Sequence, residues 1–173
     1  MKKAVVIGGT GATGRRLIQQ LIKSDDFKSV TSIGRRPVLD GKSHEKLLDV
    51  VIDSFSMLKE TEDVWKESDI FFNCIGTTRQ KAGGARQFVD VELGISRMAA
   101  NMASEANIPH ASVISASGAN HKAWAVDWIH PLLYTKTIGQ KEQTVITENN
   151  FKRVSIFRPG MLLRLMDGGQ WYD

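Results

Sequence analysis

Two groups of residues in this sequence have types and spacings that suit chemistry. The first is Gly8-Gly9-Thr10-Gly11-Ala12-Thr13-Gly14, set between the apolar run Ala4-Val5-Val6-Ile7 and Arg15-Arg16-Leu17-Ile18. Spaced glycines between a β-branched run and an amphipathic helix let backbone approach a pyrophosphate and aim a helix N-terminus at it. Gly8, Thr10, Gly11, Ala12, Thr13 and Gly14 are therefore the predicted pyrophosphate contacts of a dinucleotide. The second group is Ser115-Ala116-Ser117-Gly118-Ala119, past a predicted strand, with Tyr134 at the start of a helical segment running toward Asn149. A phenol passes a proton to or from an oxygen while hydride moves at the adjacent carbon, and a serine hydroxyl orients that oxygen. Tyr134 is the candidate acid, with either Ser115 or Ser117 beside it. A free tyrosine, with a pKa of about 10, does this poorly at neutral pH unless a nearby cation favours the phenolate.

In dinucleotide folds the residue roughly 20 positions beyond the last fingerprint glycine meets the adenosine ribose. Here that position falls on Gly34-Arg35-Arg36. No carboxylate stands there to bond a 2′-hydroxyl, whereas two guanidinium groups can fork onto a 2′-phosphate and stack on adenine, which predicts NADP(H) over NAD. Asp53, just past the third predicted strand, is a candidate for the adenine amino group, with a turn or cap role as its alternative. The polar, basic loop Gly76 to Gly84 follows the fourth predicted strand at the sheet end where ligands sit, and so borders the cofactor.

Elements must position these groups, and 173 residues with 42% hydrophobic content suffice for one core and one domain spanning 1–173. Strand-like runs recur at 3–7, 30–33, 48–52, 70–75, 111–115 and 153–157, mostly separated by helical apolar spacing. Such alternation predicts an α/β fold, a doubly wound parallel sheet with helices on both faces. Leu17, Ile18, Leu21 and Ile22 line one helix, and Phe88, Val91, Ile95, Met98 and Met102 line a longer one ending near Pro109. Trp124 and Trp128, four apart, would share a helix face, either packed in the core or exposed to a substrate or partner.

Other classes fit less well. The net charge of +4 comes from Lys and Arg alternating with 19 acidic residues, a solvated surface with a local anion site rather than a nucleic-acid footprint. His44, His110, His121 and His130 have no ligand spacing to one another or to Cys74, so no metal is expected. Cys74, the single cysteine, excludes an internal disulfide and reads as small apolar filler. With no leader pattern at the start and no apolar run near the roughly 20 residues that span a bilayer, the expectation is a cytoplasmic protein without a membrane role.

Taken together, the fingerprint at 8–14, Ile33-Gly34-Arg35-Arg36, Gly76-Thr77-Thr78-Arg79 with Lys81-Ala82-Gly83, Ser115 to Ala119, Tyr134 with Gly139, and Phe157-Arg158-Pro159-Gly160 resemble the atypical short-chain dehydrogenase/reductases. Within them, the chain is most similar to the Tat-interacting oxidoreductase-like proteins. The resemblance implies a Rossmann fold binding NADPH, with Thr10 to Thr13 on the phosphates, Arg35 and Arg36 on the 2′-phosphate and Ile75 and Gly76 beside the cofactor. It also implies Tyr134 as the proton-transfer residue and Pro159, Gly160, Met161 and Leu162 near the nicotinamide.

Two departures stand out. The family pattern has a lysine four residues after the tyrosine, where this chain has Ile138. Lys136 faces away, and Lys141 shares the face but lies about 10 Å along the axis, so neither is expected to substitute. Tyr134 could then simply pack beside Ile138 and Val145. The resembling proteins also continue into further elements past the Arg-Pro-Gly turn, whereas this chain stops at Asp173. That shortening would open the pocket and leave 153–157 as an unpaired sheet edge, from which homo-oligomerisation is expected. The leading expectation is an NADP(H)-dependent oxidoreductase acting on a small carbonyl or alcohol. The alternative is a non-catalytic NADPH-sensing module that regulates a protein partner.

Overall fold

The computed structural model describes residues 1–126 and 130–160. Six strands form one sheet: β1 (Lys2–Ile7), β2 (Phe27–Gly34), β3 (Leu47–Val51), β4 (Ile70–Asn73), β5 (His110–Ile114) and β6 (Arg153–Phe157). Their order is β3-β2-β1-β4-β5-β6, and every neighbouring pair is parallel. The chain winds outward from β1 to β3, then returns to β4 on the other side of β1. That reversal opens a crevice at the carboxyl ends of β1 and β4, where open α/β sheets bind ligands. The register Ile7 to Asn73 to Val113 brings Gly8, Cys74 and the residues after β5 to one edge of the sheet.

Both faces of the sheet are covered, so the central strands are apolar throughout rather than alternating. On one face Ala4, Val6 and Val30 pack against Ile18, Leu21 and Ile22 of helix α1 (Ala12–Lys23). On the other, Val5, Ile7, Phe71 and Val113 pack against Ala99, Ala100 and Ala103 of α4 (Ser96–Glu105) and Val145 of α5 (His130–Ile146). Trp65 closes this core from a 3₁₀ segment, Phe55–Trp65; its ring lies 5.6 Å from that of Phe71 and its indole N–H donates to Thr61 Oγ1 at 3.0 Å.

The helix expected through Phe88 to Met102 is present but interrupted. Two short helices, α2 (Arg79–Ala82) and α3 (Ala85–Val89), lead into a π turn, Asp90–Ile95, before α4. A π turn adds a residue to the turn and slips the apolar phase. Ser96, Ala99 and Ala103 consequently face the core, while Met98, expected there, is 40% exposed. The slip also turns Glu92 inward, to 2% exposure.

Strand β4 is two residues shorter than its apolar run: the Cys74 N–H still donates to the Ile7 carbonyl at 3.0 Å, but Ile75 turns away, its N–H donating to Asn73 Oδ1 at 3.0 Å. Trp124 is not on a helix: residues 121–126 are irregular and its side chain is 69% exposed. Trp128 lies outside the described residues.

Helix α5 crosses the 115–123 loop at very close range, the Asn120 N–H donating to the Thr135 carbonyl at 3.0 Å. A Cβ on Gly139 would stand 2.2 Å from His121 N and 2.4 Å from Asn120 C. Gly139→Ala is therefore expected to destabilise the fold by about 1–3 kcal/mol through backbone overpacking. Gly94→Ala, whose Cβ would meet nothing within 4 Å, is expected to be neutral or slightly stabilising. Thermal or urea unfolding of the two variants checks the contrast.

Candidate functional site

At the crevice, the glycine turn is fixed by the absence of side chains. A Cβ on Gly8, which has φ +76°, would lie 2.5 Å from Cys74 C and 2.7 Å from Ile75 N; one on Gly14 would lie 2.2 Å from the Gly8 carbonyl oxygen. These contacts bring the β1 turn, the β4 exit and the first turn of α1 together. Gly11 caps α1 without a side-chain hydrogen bond, and no acidic residue lies in its first turn. The positive end of the helix is thus left to an external anion.

Beside it, at the carboxyl end of β2, Arg36 and Arg15 line a shallow cleft with Thr10, Pro37 and Val38. The Arg35 guanidinium lies 5.9 Å above the Phe55 ring, and Arg15 is paired with Asp40. Arg36 has no hydrogen-bond or ion-pair partner among the described residues. Val38 is anchored by its N–H donating to Asp49 Oδ2 at 2.8 Å, which holds the turn after Arg36 in place. Asp53 is exposed, one residue past Ile52, whose N–H donates to the Gly34 carbonyl at 2.9 Å, so it borders the same end of β2.

The other wall is built on α5. Tyr134 is half-buried, its ring 5.9 Å from that of Phe88. Burial, followed by the negative charge of Glu92, pushes its phenol above the ordinary tyrosine value. Ile138, four residues after Tyr134, is buried. Lys141 reaches the crevice. Its side chain is 2% exposed, and its ammonium donates to the Ile75 carbonyl and, at 3.1 Å, to Glu92 Oε2. Helical side chains lean toward the N-terminus, which shortens the axial separation that Cα spacing suggests. Glu92 Oε1 accepts the Thr77 N–H at 2.6 Å.

The next residue, Glu142, points to the other side of the crevice. It accepts the Ser115 hydroxyl at 2.5 Å and two guanidinium N–H groups of Arg158, at 2.8 and 2.6 Å. Burial alone would raise its carboxyl, but the Arg158 and Ser115 hydrogen bonds, with the Arg158 and His121 charges, bring it below its ordinary value. Ser115 is thus buried and committed to Glu142, while Ser117 is exposed and its N–H donates to the Pro159 carbonyl at 2.9 Å. Burial, partly opposed by Lys141, raises the Cys74 thiol to about 11.

A crevice of this kind, with a bare helix N-terminus and a basic end on β2, is matched by sequence comparison. Residues 8–170 match the pattern of the NAD(P)H-binding family. The chain belongs to this family. Among its relatives, Protein HTATIP2 of Rattus norvegicus is 32% identical over 163 residues, covering 94% of this chain and 63% of that protein. Protein FMP52, mitochondrial, of Debaryomyces hansenii is 35% identical over 161 residues, covering 92% and 66%. The chain therefore spans just under two thirds of the length of these relatives. The oxidoreductase ylbE from Lactococcus lactis superposes with a TM-score of 0.68 at 19% identity, covering 91% of this chain and 68% of that one. MoeE5 in complex with UDP-glucose and NAD gives 0.68 at 16%, covering 90% and 53%. These two structures share the Rossmann fold of this NAD(P)H-binding protein.

Of the residues picked out in the sequence, the structure brings Gly8, Thr10, Gly11, Ala12, Thr13, Gly14, Ile75 and Gly76 to the crevice, with Arg35 and Arg36 at its basic end and Tyr134 on α5. Pro159 and Gly160 follow β6 on the same side of the sheet; Met161 and Leu162 lie outside the described residues. Sequence reasoning missed Glu92, Lys141 and Glu142 as site residues. A Lys-Glu pair inside a helix reads as solvated surface, and only the π turn and the close crossing at Gly139 bury these groups.

The Glu142 arrangement has a pH signature. A carboxyl whose folded pKa is depressed adds stability above its unfolded value, near 4.5, and loses it as pH falls through the folded value. Arg158→Ala removes the main opposing charge and leaves burial to dominate. The variant is expected to melt several degrees lower at pH 7 and to recover part of that loss as pH falls toward about 5, whereas in the wild type this group adds no pH dependence in that range and costs stability only below its ordinary value of 4.5. Melting temperature against pH for both proteins checks it.

Proposed function

We propose that this NAD(P)H-binding protein is an NADP(H)-dependent oxidoreductase acting on a small carbonyl or alcohol. The observation that carries the NADP(H) preference is Arg36, a guanidinium without a partner among the described residues, next to Arg35 and beside the bare N-terminus of α1. A 2′-phosphate suits that place, since two guanidiniums fork onto it and no carboxylate follows β2 directly to bond a ribose hydroxyl. The glycine turn fits a pyrophosphate for the same reason that it excludes side chains. When bound, NADPH supplies the hydride.

The remaining work falls to the chain. The first turn of α1 holds the pyrophosphate, and Arg35 and Arg36 hold the phosphorylated ribose. Tyr134 donates the proton to the substrate oxygen; burial and Glu92 keep its phenol protonated, the form a general acid needs. Ser117, exposed at the β5 end, orients that oxygen, because the Ser115 hydroxyl is already given to Glu142. A second reading, a non-catalytic NADPH-sensing module, is favoured by Ile138. The two part on one result: a sensor shows NADPH raising the melting temperature with no hydride transfer in a single turnover.

Arg35→Glu/Arg36→Glu is expected to weaken NADPH binding by about 10²-fold, the loss of one to two charge-assisted hydrogen bonds, and to leave NADH binding unchanged. Titration calorimetry with both nucleotides checks it, and equal losses for both would sink the 2′-phosphate assignment. Tyr134→Phe is expected to lower carbonyl reduction by roughly 10²–10⁴-fold while NADPH binding holds. In the wild type, reduction should stay level through neutral pH and decline only above pH 10.0, the ordinary tyrosine value. Stopped-flow oxidation of NADPH against pH reads both.

A further inference from the structure

Packing alone gives no reason for ions at positions 141 and 92. Both side chains are nearly sealed from solvent, at 2% and 3% exposure, and the desolvation of two charges is repaid only in part by their attraction, so apolar residues of similar volume would fill the space as well or better. What the pair does is hold backbone. The Lys141 ammonium takes the Ile75 carbonyl and Glu92 Oε2, while Glu92 Oε1 takes the Thr77 N–H at 2.6 Å. One ion pair thereby grips the β4 exit at two points, two residues apart. That exit is the wall against which the glycine turn closes, with the Gly8 Cα too near Ile75 N to carry a Cβ.

The two ions come from different elements. Lys141 is on α5, the helix of Tyr134, and Glu92 is in the π turn that connects α3 to α4. Their contacts span 66 and 49 residues of sequence. The pair therefore ties the helix carrying the candidate acid to the loop beside the cofactor.

We propose that Lys141 and Glu92 are positioning residues for the nicotinamide-ribose half of the dinucleotide, setting the Ile75–Thr77 backbone against which that half lies. This rests on the NADP(H) reading above. The phosphorylated adenosine half is held by Arg35, Arg36 and the first turn of α1, none of which the pair bonds.

The test uses the full chain as wild type and as Lys141→Met/Glu92→Leu, a double variant that removes both charges and so leaves neither ion stranded. NADPH and adenosine 2′,5′-bisphosphate, which lacks the nicotinamide half, are titrated by calorimetry, and hydrogen exchange at Thr77 is followed without ligand. The double variant is expected to keep a melting temperature at or above the wild type, to exchange the Thr77 amide faster, and to bind NADPH about tenfold more weakly, the loss of one hydrogen bond to a charged group. Its affinity for adenosine 2′,5′-bisphosphate should stay within about twofold. Unchanged NADPH affinity, equal losses for both ligands, or unchanged Thr77 exchange would overturn the proposal alone. A wild type that binds neither ligand overturns the NADP(H) reading and this proposal together. If the double variant does not fold, Lys141→Leu/Glu92→Met, which likewise removes both charges, carries the same readouts.

Discussion

The organisation of the crevice follows from one steric constraint. The turn after β1 and the exit of β4 approach so closely that no side chain fits at Gly8, and the first turn of α1 approaches the Gly8 carbonyl so closely that none fits at Gly14. Parallel pairing of β1 with β4 sets the distance, and glycine is the residue that tolerates it. Because the backbone closes this tightly, the N-terminus of α1 is aimed into the crevice rather than at solvent. Every other part of the site is arranged around that fixed corner.

Helix α5 supplies the opposite wall and connects both sides of the sheet's reversal. Lys141 reaches toward β4 and Glu142 toward β5 and β6, so two consecutive residues carry opposite charges to opposite sides. Each charge is neutralised where it lands, by Glu92 and by Arg158. Burial and the negative charge of Glu92 hold the Tyr134 phenol above its ordinary value. Arg35 and Arg36 give the crevice a basic end, and Tyr134 lies on its other wall.

Much of this was legible in the sequence. All six strand-like runs became strands, because a parallel sheet covered on both faces requires continuous apolar segments and such segments are easy to see. The glycine turn and the double arginine were legible because their spacing from a strand is short and local. Of the face expected through Phe88 to Met102, only Met98 is exposed, since nothing in the apolar spacing announces a π turn. Lys141 bonds the Ile75 carbonyl and Glu92 rather than Tyr134, a partnership that its spacing along the helix does not show. Trp124 was placed on a helix that residues 121–126 do not form.

The sequence by itself determined the fold and the NAD(P)H-binding family, because the apolar runs and the glycine turn that carry them are local patterns in the chain. Tertiary structure alone decided which charges are buried and what they hold. Glu92 and Lys141 are 49 residues apart, and Ser115, Glu142 and Arg158 meet from three different elements. The cost of burying an ion depends on the partner that meets it, and that partner is chosen by the winding of the sheet and not by the residues adjoining it in the chain.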